Sequence, residues 1–365
     1  MKYGIWSRIL ILLLCLLLVA PVLAKPESPI DQARSLVKEF MNTTMTPGIT
    51  VSVGVKNRIV WSEGFGYADL EQKVPVRPGL TKFRIGSVSK PLTATAMAQL
   101  YEQGKLDLDA PVQKYVPSFP KKPQGTITTR LLAGHLAGIR HYEGNEFYSQ
   151  KHYTTVLEGL NILKDDPLLF TPGTEYSYSS YGWNLISAVI EGASGQDFLS
   201  YMQARVFQPA GMQNTMADQV SQIIENRTRF YIWEDSRIVN APSVDNSYKW
   251  AGGGFLSTSE DLVRFGFAHL NAKVVKPETI KLLWTSQKLP NGQATGYGMG
   301  WQISYDSNGK IRWVGHAGSS VGGSTIFGIY PEQQVVVAII TNMSDIYYGN
   351  LPYKIGEVFI TANQK

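Results

Sequence analysis

The stretch Phe83-Arg84-Ile85-Gly86-Ser87-Val88-Ser89-Lys90-Pro91-Leu92-Thr93-Ala94 holds a serine and a lysine three residues apart, Ser87 and Lys90. A mostly apolar run from Leu92 to Leu100 follows and reads as a buried helix. With the helix beginning near Ser87, residues three apart share a face, and Lys90 reaches the Ser87 hydroxyl. A serine hydroxyl is a weak nucleophile until a neighbouring base takes its proton. Lysine serves as that base only when desolvation or nearby cations lower its pKa. A helix start also points free backbone N–H groups at developing negative charge. Ser-x-x-Lys alone is common, so its meaning depends on what the rest of the chain supplies.

The chain has 365 residues, 44% hydrophobic and 17% charged, enough for one large domain of two lobes. Its net charge of +5 is modest and its Lys and Arg residues are scattered, which gives a nucleic-acid role little support. The five histidines are spread out without paired ligand spacing, so neither a metal nor another cofactor is expected. Residues 1–24 read as a cleavable secretory signal peptide. Lys2 and Arg8 form its charged start, Ile9 to Val19 its apolar run, and Val22-Leu23-Ala24 its cleavage site. The apolar run is short for a membrane span. Cys15, the one cysteine, lies in it after Leu14, a poor neighbour for lipidation. Cleavage would take Lys2 and Arg8 away, lower the net charge from +5 to +3, and leave no cysteine. A secreted protein of this kind cannot use disulfides, which suits a bacterial periplasm.

Along the mature chain, Ile30, Ala33, Val37 and Phe40 mark a helix over Ile30 to Met41. Gly48 to Val55 alternates as a strand, with Ile59 to Tyr67 as its hairpin partner across Lys56-Asn57-Arg58. Thr126 to Leu132 opens a hydroxyl-capped helix; Thr154 to Leu163 and Gly182 to Ala193 read as further helices. His135 is expected to be a structural histidine buried between helices. The tail returns to strands at 299–304, 311–314, 325–330 and 334–340, and closes with a helix from about Leu351 to Ala362. Strands at both ends around a helical middle predict an α+β fold. One antiparallel sheet from about 25–95 and 290–365 is flanked by helices, a mostly helical lobe of about 96–289 is inserted, and the active site lies in the cleft between them.

Two further stretches bear on chemistry. Pro172-Gly173 leads into the hydroxyl-rich Thr174-Glu175-Tyr176-Ser177-Tyr178-Ser179-Ser180 before a helix. A tyrosine beside a lysine cation has a lowered phenol pKa, so Tyr178 is a candidate proton relay. Val314-Gly315-His316-Ala317-Gly318-Ser319 puts a histidine at the end of a strand, then small residues that let a substrate backbone lie along the strand edge. The Ser319 N–H can pair with that of Ser87 as an oxyanion hole.

Together these three stretches resemble the serine β-lactamase and penicillin-binding-protein superfamily, with its Ser-x-x-Lys, Tyr-x-Asn and Lys-Thr-Gly or His-x-Gly elements. The likeness is to the class C-like branch of that superfamily. It is nearest to LACTB-type serine proteases, through Gly86 to Thr93, His135 to Tyr142 and Val244 to Thr258. The resemblance covers essentially the whole mature chain. It implies a β-lactamase/transpeptidase-like fold and an acyl-enzyme mechanism. By resemblance Ser87 is the nucleophile, Lys90 activates it, and Tyr178 acts as base and later as acid to the leaving group. His316 stands where other members have lysine and would orient or polarise the substrate. Ser87 and Ser319 would supply the oxyanion amides, and Ser180 and Gly318 would contact substrate. Ser180 replaces the asparagine of Tyr-x-Asn, and Asn184 is out of register. That change and the missing lysine disfavour efficient β-lactam hydrolysis. The leading expectation is an exported peptidase. An esterase or weak β-lactamase on the same site, a non-catalytic sensor of cell-wall fragments or β-lactams, and a homo-oligomer or filament remain alternatives.

Overall fold

The computed structural model describes residues 27–364, so the expected signal peptide lies outside the described residues. The first helix, Pro29–Thr44, is capped by Ser28, whose hydroxyl accepts from the Asp31 N–H, and it stops where Met45 turns left-handed. Three residues more than the periodicity suggested are helical at its C-terminal end, where capping rather than pattern sets the boundary. Strands β1 (Gly48–Val55) and β2 (Arg58–Asp69) follow as a hairpin. Lys56 and Asn57 both have positive φ, 47° and 67°, in the two-residue turn whose twist matches that of the strands.

The short β3 (Val74–Pro75) and β4 (Phe83–Arg84) precede the Ser87 turn. Late in the chain come β9 (Gln302–Tyr305), β10 (Ile311–Ser320), β11 (Gly323–Tyr330) and β12 (Val335–Thr341). They join the early strands in one seven-stranded sheet of order β3-β2-β1-β12-β11-β10-β9, antiparallel throughout. Its centre pairs the two ends of the chain, with Val51 opposite Ile339 and Val53 opposite Val337. This is the sheet built from both termini that the strand pattern predicts.

Strand β1 alternates apolar and small polar residues, yet all eight are buried. Ile49, Val51 and Val53 pack with Ala33 and Val37 of the first helix and Ile355 and Phe359 of the last, Leu351–Asn363. The other face is covered by the helix Ser259–Leu270, which lies in the stretch expected to be helical lobe but packs on the sheet. The Ser259 hydroxyl bridges those of Thr50 and Ser52 at 2.7 Å each. Gly54 leaves room for Phe267, whose ring would lie 2.3 Å from a Cβ there. Small polar residues here meet a helix rather than water.

The middle of the chain is helical in its long elements but not throughout. Strands β5 (Met216–Ala217) and β8 (Phe255–Ser257) form a small sheet with β4, and β6 (Tyr231–Glu234) pairs with β7 (Arg237–Asn240). Two- to four-residue pairings are too short to show a period. Two helices, Ser89–Glu102 and Ser180–Ser194, are buried almost all round and form the centre of the second core. Their first turns face each other, and the site forms there.

Candidate active site

Ser87 sits on a single 3-10 turn, Gly86–Val88, and the α-helix starts two residues later than expected, at Ser89. Arg84 anchors the approach to that turn. Its guanidinium pairs with the buried Asp218 at 2.6 Å and donates to the Val321 carbonyl at 2.7 Å. The turn also touches strand β10. A Cβ on Gly86 would lie 2.4 Å from the Ser319 carbonyl oxygen, and one on Gly318 would lie 2.1 Å from that of Ile85. These two glycines let strand and turn approach as no side chain would. The Ala317 N–H donates to Gln302 Oε1 at 3.2 Å, away from β11. Alternation points the Ser319 N–H the same way, beyond the last residue pairing of β9 at Gln302 and toward the Ser87 turn.

Lys90 is fully buried, and its Nζ has three neighbours: Ser87 Oγ at 2.9 Å, Ser180 Oγ at 3.1 Å and the Gly252 carbonyl at 2.7 Å. Burial, and then the charge of Lys249, hold its pKa well below the usual lysine range. A neutral amine has two N–H groups and one lone pair. Nζ donates to the Gly252 carbonyl and to the Ser180 and Ser87 hydroxyls, and once the amine loses its extra proton its lone pair stands within reach of the Ser87 hydroxyl proton.

Tyr178 lies over this group, with Lys90 Nζ 4.8 Å from its ring centroid. Here one expectation is corrected. Burial pushes the Tyr178 phenol well up, against smaller opposing effects of the Ser87 and Ser180 hydroxyls. The lowering expected from a lysine cation is not what governs this phenol; burial does. Tyr178 is therefore a proton donor at neutral pH, not a phenolate.

His316 is corrected as well. It borders the cleft but is 1% exposed, and both ring nitrogens are engaged. Nδ1 donates to the Ala317 carbonyl, and Nε2 accepts from the Tyr297 hydroxyl at 2.8 Å. Burial, then Lys90, pushes its pKa down to about 3. It is a neutral wall residue and brings no positive charge to a substrate.

His135 is buried as expected, but it is no mere spacer between helices. Its ring lies against that of Tyr178, tilted by 38° with centroids 4.3 Å apart, and its Nδ1 accepts from the Ser179 N–H at 3.1 Å. Ser179 caps the helix Ser180–Ser194, and the Ser180 N–H donates to His141 Nδ1 at 3.2 Å. Asn184 is outside the site; its amide donates to the Tyr248 carbonyl and fixes the neighbouring residue, Lys249.

Lys249 is the residue that pattern reading missed. It is 2% exposed, and its Nζ has no hydrogen-bond partner. It rests over the rings of Phe147, Tyr248 and Tyr142 at 4.4, 5.2 and 5.6 Å. Burial first, then Arg84, partly offset by Asp218, brings its pKa down to about 7. With Ser87, Tyr178 and Ser180 it lines a cavity of about 330 Å³. Among the described residues no group of His, Cys, Asp and Glu could hold a metal. A serine hydroxyl 2.9 Å from a buried amine whose pKa is held down is suited to acyl transfer.

A family model described as "Beta-lactamase" matches residues 33–346. The chain belongs to the beta-lactamase family. Serine beta-lactamase-like protein LACTB, mitochondrial, of Bos taurus is 35% identical, over 90% of this chain and 79% of that protein. The Homo sapiens protein of the same name is 34% identical at the same coverage. The putative penicillin-binding protein PbpX of Bacillus subtilis is 29% identical, over 78% of this chain and 70% of its own. Among solved structures, the octameric penicillin-binding protein homologue from Pyrococcus abyssi superposes with a TM-score of 0.76 at 28% identity, covering 91% of this chain and 76% of that one. The beta-lactamase and penicillin-binding-protein-like fold expected from the sequence is the fold found. The family is one of serine hydrolases.

Proposed function

We propose that this protein hydrolyses an amide bond, that of a peptide first of all, through an acyl-enzyme on Ser87. The observation that carries this is the fully buried Lys90 amine 2.9 Å from Ser87 Oγ, its pKa held well below the usual lysine range. The Ser87 proton passes to the Lys90 lone pair as Oγ attacks the carbonyl carbon. The oxygen gains charge between the Ser87 and Ser319 N–H groups. The C–N bond then breaks, with the leaving nitrogen protonated from Tyr178 and the proton on Lys90 restoring the phenol. A water enters, gives its proton back along the same path, and frees Ser87.

Because burial keeps the Tyr178 phenol protonated at neutral pH, it has a proton to give to a departing amine and does not stand ready as a base. Neutral His316 offers no counter-charge to a β-lactam carboxylate, which supports peptidase over β-lactamase. Export to the periplasm or outside the cell is part of the proposal and rests on the charged, apolar and small-residue order of residues 1–24. N-terminal sequencing of the protein from its host tests it: a chain beginning near residue 25 supports export, and one beginning at Met1 ends it. The similar octameric homologue makes a homo-oligomer worth testing by light scattering, where a monodisperse monomer excludes it. The function itself is tested with a peptide library and intact mass. Turnover is expected, with an acyl adduct on wild-type protein, and Ser87→Ala should lose at least 10³-fold activity while keeping its fold. Retained turnover in Ser87→Ala overturns the proposal.

A further inference from the structure

Two cavities meet at Ser87 and differ in chemistry. The smaller leads past Ser180 and His141 to Lys249. The larger, about 670 Å³, runs along β10 from Tyr178 and His316 to the last helix, between walls that include Trp313, Ile326, Tyr347 and Tyr353. Beyond Tyr347 a further cleft of about 600 Å³ continues past Trp233 and Met45, so the two make one trough. Tyr347 is 88% exposed and Trp233 49%; neither is spent on the core. Among the described residues no lysine or arginine lines this trough. Its charged group is Asp345, whose carboxylate accepts from Ser319 Oγ at 3.5 Å. His316, at the head of the trough, has both nitrogens engaged. Tyr178, the donor to the leaving nitrogen, borders His316 there with ring centroids 6.2 Å apart.

We propose that this trough receives the departing half of the substrate, takes a bulky apolar or aromatic residue next to the cut bond, and selects chains that continue past that residue over chains that end there in a carboxylate. Such a protein cuts within peptides or at capped amides and does not trim single C-terminal residues. The inference rests on the amide-hydrolase reading above. A terminal carboxylate would meet Asp345 with no cation to offset it, whereas a further peptide unit meets aromatic faces and an open path.

The test begins with Ser87→Ala protein, so that turnover plays no part. Phenylalaninamide, phenylalanine and alaninamide, each in D and L forms, are titrated by NMR. In the fitting enantiomer phenylalaninamide should bind on the order of tenfold more tightly than either of the others. Asp345→Asn, which an asparagine tolerates at φ 56°, should bring the amide and the acid together. Tyr347→Ala should bring phenylalaninamide and alaninamide together. Equal affinities for the three, no binding at all, or ratios unmoved by both substitutions overturns the proposal. The same three groups are then joined to one acyl portion and offered to native protein. No turnover of any, with the binding order intact, fells the hydrolase reading and leaves the subsite standing; turnover without preference fells the subsite alone.

Discussion

Two lysines lie buried within the same site, and they are wired differently. Lys90 Nζ has three hydrogen-bond partners, the Gly252 carbonyl and the Ser180 and Ser87 hydroxyls. Lys249 has aromatic faces and no hydrogen bond. Burial lowers both pKa values, but only Lys90 is connected to the nucleophile. The effect of Lys249 on Lys90 is electrostatic: a charge on one makes a charge on the other more costly. Burial alone does not make a lysine a base; the base is the one whose lone pair has a proton to take.

The most severe test of that contrast is Lys90→Met, which should lower kcat by about 10³-fold with the fold intact. A loss under tenfold would make the two lysines equivalent and remove Lys90 as the base. Next is Tyr178→Phe. Because an amide nitrogen must be protonated to leave and an ester oxygen hardly needs it, amide cleavage should fall about 10²-fold and ester cleavage far less. Equal losses on paired amide and ester substrates would take Tyr178 out of the leaving-group step.

Lys249→Met should act more gently and through pH. Activity needs neutral Lys90 and so falls as pH drops through the Lys90 pKa. Removing the neighbouring charge raises that pKa, and the acid limb of kcat/KM should move up by about one pH unit. An unmoved limb breaks the proposed coupling. The same variant should alter stability against pH. Lys249 titrates near 7 when folded and near 10.5 when unfolded, so between those values the unfolded chain binds more protons. Stability therefore rises with pH across that window, by about 1.4 kcal/mol per unit from this group. Thermal melts of Lys249→Met from pH 7 to 10 should lack that share of the rise; an unchanged slope would place Lys249 outside the buried titration.

The parts of the site legible in the sequence are those carried by local pattern. Ser-x-x-Lys before an apolar run, a hydroxyl-rich loop before a helix, and a histidine followed by small residues each announced themselves, although His316 lies within β10, which runs on to Ser320 rather than ending before it, and the structure brings Ser87, Lys90, Tyr178, Ser180, His316, Gly318 and Ser319 around one cleft. The long strands of the sheet were legible for the same reason: β1 by its alternation and β12 by its unbroken apolar run. What was hidden arises from packing between distant segments. A lysine in a loop reads as solvated until Phe147, Tyr142 and Tyr248 close over it. The presence of Tyr178 in the site could be read, but the direction of its pKa depended on how deeply it would be buried. His316 was expected to orient or polarise a substrate, but Tyr297, nineteen positions earlier, takes its second nitrogen. The run Tyr248-Lys249-Trp250 ahead of three glycines was the available signal for Lys249: aromatic neighbours on both sides of a lysine are unusual for a solvated turn.

The pairing of β1 with β12 also sets a schedule for synthesis. The ribosome makes β1 early and its inner neighbour about 280 residues later, roughly 15 to 60 seconds at ordinary elongation rates. For all that time the β1–β2 hairpin has an open apolar edge at what will become the middle of the sheet. The last seventh of the chain, not its first domain-sized piece, therefore decides when the sheet can close.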